Sequence, residues 1–120
     1  MSANSVQFVE TAVRLLDSKK AEDIVVLDIR EVTSIGDFFI IASGNNTTLV
    51  KTLSEELGQK LSKDGFTLRR VEGTNSAMWI LMDYVDVVIH LFYSETRDFY
   101  CLERLWADAP RLDVQSIIGN

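Results

Sequence analysis

The chain is poor in the residues that staple small proteins or make them reactive. Its 120 residues hold one cysteine, one proline and one histidine. One cysteine excludes an internal disulfide and a cysteine-based metal cluster, and it suits a reducing compartment. One histidine and one cysteine cannot build a zinc site without recruiting carboxylates. No apolar run reaches the ~20 residues that would span a bilayer. The opening MSANSVQFVETAVR lacks the charged start and unbroken apolar stretch of a signal peptide. A cytoplasmic protein with no membrane partner is expected. Basic residues are scarce too: 12 Lys and Arg face 18 Asp and Glu, for a net charge of −6. The densest basic spots are the pairs Lys19-Lys20 and Arg69-Arg70, so direct nucleic-acid binding is not expected. An acidic protein is steered toward basic partners instead. No Walker loop and no Gly-x-Gly-x-x-Gly cradle is present.

What is present is apolar sequence in short, well-punctuated runs, 47% of the whole. Val6, Val9, Val13 and Leu16 recur at helical spacing and predict an amphipathic helix near 5–19. Ile24 to Ile29 and Phe38 to Ala42 are apolar on both alternating faces, as buried strands are. Ser43-Gly44-Asn45-Asn46 ends the second strand and can cap a helix over about 47–62. In that helix Leu49, Leu53, Leu57 and Leu61 share one stripe, and Gly65 stops it. Phe66 to Val71 reads as an edge strand carrying charge. Ala77 to Met82 and Val85 to Phe92 are two further strands around the break Asp83-Tyr84. A third helix starts at Ser94 and buries Phe99, Leu102, Leu105 and Trp106, with Pro110 beyond its end. These elements make one α/β domain over 1–112, with a mixed sheet of about five strands and three helices, and a tail over 113–120. Three helices covering two sheet faces can leave one face partly bare, and a bare apolar face is a partner site.

Catalytic chemistry finds little footing. Asp83 and Asp86 stand three apart across a turn rather than two apart on a strand face. His90 lies mid-strand between Ile89 and Leu91, the setting of a buried, hydrogen-bonded histidine rather than a base. Cys101 has no activating base near it in sequence. No catalytic residue, metal site or cofactor is therefore assigned.

The ordered residues resemble the ribosomal silencing factors, the Iojap-like (RsfS) family. The likeness runs from about Phe8 to Ala109 and rests on Val26-Leu27-Asp28, Asp37 to Gly44, Val71-Glu72-Gly73 and Trp79. Asp83-Tyr84, Asp86 to Phe92 and Arg97-x-Phe99-Tyr100-x-Leu102-Glu103-x-Leu105-Trp106 complete it. The resemblance implies a nucleotidyltransferase-like fold without transferase activity. It implies binding to the large ribosomal subunit through its fourteenth protein, blocking of the small subunit, and repression of translation when nutrients are short. Three positions depart from the family pattern: Val85 where a glycine is usual, Thr48 where an arginine is usual, and Met78 where an acidic residue commonly precedes the tryptophan.

The expected partner-binding residues are Trp79, Leu81, Asp83 and Tyr84 of the hairpin with Arg97, Tyr100 and Glu103 of the third helix. Trp79, Leu81 and Asp83 share a strand face, and Tyr100 and Glu103 lie on one side of the helix. The picture is an aromatic and aliphatic centre with an acidic rim. The alternative for Trp79, and equally for Leu81, is a place in the core. Two rival functions remain: a divalent-metal nucleotidyltransferase using Asp83, Asp86 and Asp28, and a small homodimeric adaptor that uses an exposed sheet face on itself.

Overall fold

The apolar stripe of the first helix folds it onto a sheet. In the computed structural model, which describes residues 3–34, 36–100 and 108–119, α1 spans Ala3–Ser18. Phe8, Val9, Ala12, Val13 and Leu16 are buried, while Val6 falls off the stripe and is exposed. Two strands follow, β1 (Glu22–Asp28) and β2 (Phe38–Gly44), and β2 is buried along its whole length. Asn46 then caps α2 (Thr47–Lys63), its side-chain oxygen accepting the Leu49 N–H at 2.7 Å. Leu53, Leu57 and Leu61 of the expected leucine stripe are fully buried, and Gly65 takes a φ of +91° just past the helix.

Next come β3 (Arg70–Glu72), β4 (Trp79–Asp83) and β5 (Val87–Tyr93), then α3 (Ser94–Tyr100). The expected strand from Phe66 shrinks to three residues. Phe66 turns inward against Phe8, with ring centroids 5.0 Å apart, and its N–H is spent on the Leu61 carbonyl. The stretch expected as a tail contains α4 (Val114–Ile118), capped by the Asp113 carboxylate. Its Val114, Ile117 and Ile118 pack against the core.

The sheet order is β1-β2-β5-β4-β3. β1 with β2, β5 with β4 and β4 with β3 are antiparallel, while β2 and β5 run parallel. The result is one α/β domain with a mixed five-stranded sheet, as the residue pattern predicts.

The two faces of that sheet differ. On the first, Val26, Ile40, Ala42, Ile80, Met82, Ile89 and Leu91 are buried in one cluster with α1 and α2, and α4 closes its edge. On the second, Leu27, Phe39, Ile41 and Phe92 form a smaller cluster with Ala109, to which Trp79, Val25 and Val88 add half-buried side chains. No helix of the described residues is long and apolar enough to cross a membrane.

Candidate functional site

β4 alternates between the two faces. Ile80 and Met82 point into the large core, while Trp79, Leu81 and Asp83 point to the second face. Trp79 and Leu81 are half-buried, and Met78 just before them is 49% exposed. Register places Trp79 opposite Phe92 and Leu81 opposite His90 on β5, and Leu81 opposite Glu72 on β3. The indole stacks on Phe92 with ring centroids 5.1 Å apart at 25°. Its Nε1–H donates to His90 Nδ1 at 3.2 Å. His90 is only 5% exposed, and burial pushes its pKa down to about 4. The imidazole is therefore neutral at pH 7, as an Nδ1 acceptor must be.

The start of β4 is set by a close backbone approach. Gly73 has a φ of +87°, and a Cβ there would lie 2.0 Å from the Trp79 carbonyl oxygen, so only glycine fits. At the far end the expected acidic rim takes another form. The Asp83 carboxylate is buried and receives Arg69 Nη2 at 2.7 Å, with Arg70 Nε at 3.6 Å. Its other oxygen accepts the Val85 N–H at 2.8 Å. Asp83 is thus neutralised within the chain, and the rim it belongs to carries both signs of charge: Arg69, Arg70 and Glu72.

Tyr84 does not join Trp79. It is 8% exposed and lies on the opposite face, edge-on to Phe8 with centroids 4.9 Å apart. One residue along a strand reverses the side-chain direction, and the hairpin turn carries Tyr84 under α1. Arg97 is also 8% exposed; its Nη1 donates to Ser43 Oγ at 2.9 Å and ties α3 to the end of β2. It is not a surface charge. Glu103, Cys101 and Trp106 lie outside the described residues, as does the side chain of Tyr100.

Val85 stands where the family pattern has glycine, and a β-branched residue resists positive φ, yet it adopts one here. Val85 has a φ of +76°. The Asp86 N–H donates to the Tyr84 carbonyl at 3.0 Å, closing a three-residue turn around Val85. A γ-turn with positive φ at its centre is rare and strained. It persists because its neighbours over-determine it. Asp83 holds the Val85 N–H, Tyr84 is sunk in the core, and the Asp86 carbonyl accepts from the N–H groups of both Asp37 and Phe38.

The arrangement offers no support for metal chemistry by the three aspartates. Asp28 and Asp83 sit on β1 and β4, three strand spacings or roughly 14 Å apart. Asp28 is paired with Arg30, which holds its carboxyl below the usual carboxylate range. No group of three His, Cys, Asp or Glu able to hold an ion occurs among the described residues. His90 as the tether of Trp79 was not foreseen; a lone polar residue in an apolar strand two positions from a cross-strand aromatic is the signal that could have shown it.

Comparison with known proteins identifies the neighbourhood of this chain. A family model described as "Ribosomal silencing factor during starvation" matches residues 2–119. The ribosomal silencing factor of Halalkalibacterium halodurans is 38% identical over 113 residues, 94% of this chain and 97% of that protein. That of Bacillus subtilis is 35% identical over 92% of this chain and 94% of its own length. A mouse protein named for mitochondrial assembly of the ribosomal large subunit is 31% identical over 82% of this chain and 44% of its own. Among solved structures, a Chromobacterium violaceum protein superposes with a TM-score of 0.83 at 33% identity, covering 89% of this chain and 88% of that one. A Bacillus halodurans protein superposes with a TM-score of 0.78 at 35% identity, covering 93% and 99%.

Proposed function

The chain belongs to the ribosomal silencing factor family, and from that premise we propose that it docks on the large ribosomal subunit with the outer face of β4 and keeps the small subunit from joining. The docking partner is the fourteenth protein of the large subunit, and the outcome is repression of translation when nutrients are limiting. The observation that carries the docking reading is the pair Trp79 and Leu81, two half-buried apolar side chains on one sheet face beside charges of both signs, with Met78 exposed just before the strand. An apolar centre with a polar rim is how protein interfaces are built. The net charge of −6 favours a basic partner. The names of the relatives support the ribosomal setting, and the bacterial ones support a cytoplasmic location.

Steric blocking needs no bond to be made or broken, so no catalytic residue, metal or cofactor enters. Within the docking set, Trp79 and Leu81 make the contact. Asp83, Tyr84 and Arg97 act from beneath, fixing the hairpin and α3. Tyr100 and Glu103 belong to the proposed docking set on the family resemblance alone.

The test is a subunit-joining assay with purified subunits and added protein. The joined fraction falls as the protein is titrated in, and the protein sediments with the large subunit in a sucrose gradient. Co-sedimentation with an unchanged joined fraction would remove the blocking mechanism. Protein that stays at the top of the gradient would remove docking as well.

A further inference from the structure

Trp79 is held in place from within the sheet. Its neighbour in the cross-strand register is Phe92, and His90 stands diagonally, two residues earlier on β5 and on the same face. The imidazole accepts the indole N–H, and Phe39 of β2 meets that imidazole edge-on, with centroids 4.9 Å apart at 74°. Four rings thus run across three adjacent strands: Phe39, His90, Trp79 and Phe92. His90 itself is buried and offers a partner no surface.

We propose that His90 is a positioning residue for docking: it fixes the orientation of the Trp79 indole and satisfies its N–H, so that the partner meets an apolar ring surface and need supply no hydrogen-bond acceptor. The inference rests on the docking role of Trp79 given above. Two physical consequences follow from the geometry. An indole already held against His90 and Phe92 has less rotamer freedom to lose when a partner orders it. An indole whose donor is already paired can be covered by aliphatic groups without stranding a buried N–H. The tether requires a lone pair on Nδ1, hence a neutral ring, and burial keeps the ring neutral throughout the physiological range.

The test compares wild type, His90→Phe, His90→Asn, Trp79→Phe and the double variant Trp79→Phe/His90→Phe. Indole N–H resonances are read by ¹⁵N NMR on the free protein, and affinity is read against purified large subunits. Trp79→Phe assigns the Trp79 resonance. His90→Phe moves that resonance upfield and weakens affinity by about three- to tenfold, the range expected for one lost hydrogen bond. His90→Asn, which can place an oxygen near the position of Nδ1, restores most of the affinity even where its melting temperature falls. In the Trp79→Phe background, His90→Phe causes no further loss. Wild-type affinity in His90→Phe, or an equal loss in the Trp79→Phe background, would overturn the proposal. Failure of wild type itself to bind large subunits would overturn the docking reading and this role together, and it shows before any variant is compared.

Discussion

Ile80 and Trp79 are consecutive residues of β4 and face opposite ways. Ile80 is sealed among α1, α2 and the inner faces of β2 and β5. Trp79 rests on Phe92 and His90 and stays half-open. The first face of the sheet is closed by helices whose apolar stripes match it, so its residues answer for stability. The second face is aromatic and holds a buried neutral histidine, and its β4 edge keeps apolar surface within reach of a partner. The comparison teaches that one strand can serve both ends because its side chains alternate every residue. The face proposed for docking is therefore backed directly by the core.

Substitutions that act on one face alone separate the two. Ile80→Ala opens a cavity in the sealed face and lowers the unfolding free energy by about 4 kcal/mol, read by urea denaturation. A loss under 1 kcal/mol would place Ile80 outside the core. The second face responds to acid. His90 has a folded pKa of about 4, below its unfolded value of about 6.5, so proton uptake favours the unfolded chain. Its contribution is intact above pH 6.5 and is lost as pH falls from 6.5 toward 4, by up to about 3 kcal/mol. Denaturation curves at pH 7 and pH 4.5 show this slope in wild type and lack it in His90→Asn; equal slopes would mean the imidazole is not buried.

Trp79→Ala shifts the balance the other way. Affinity for the large subunit falls by about 2 kcal/mol, measured by titration, while stability falls by less than for Ile80→Ala. A large stability loss with unchanged affinity would assign Trp79 to the core alone. The turn between the two faces gives a smaller effect of opposite sign. Val85→Gly relieves the positive φ and stabilises the fold by about 1 kcal/mol after the added freedom of the unfolded chain is counted. A melting temperature that rises by about 4 °C would agree, and one that falls would mean the turn is unstrained. Smallest is the salt response. Raising ionic strength slows association with the large subunit more than it speeds release, and salt-independent association would remove the charged rim from the docking account.

Much of this was legible in the residues. The leucine stripe of α2, its Asn46 cap and its stop at Gly65 are local features, and they form as read. The whole-length burial of β2 follows from Phe38 to Ala42 being apolar at both parities. The site was legible only as a set of residues near one another in the chain. Period-two alternation put Trp79, Leu81 and Asp83 on one face correctly. It could not show that Arg69 and Arg70 neutralise Asp83, because that pairing joins β4 to the approach of β3. Nor could it show Tyr84 folded under α1, or Arg97 turned inward to Ser43, whose partner lies 54 residues away. The short helix over Val114–Ile118 escaped notice because five residues carry too little periodicity, although Asp113 is a fair cap signal.

Local order came from the chain alone: which stretches coil, which extend, and where each stops, since caps, glycines and apolar spacing act over a few residues. The choice of which aromatic is covered and which faces out belonged to the tertiary arrangement. Coverage depends on how strands distant in sequence are ordered side by side and which helices lie over them. That order placed His90 beside Trp79, its Nδ1 3.2 Å from the indole Nε1, where no spacing in the sequence reports it.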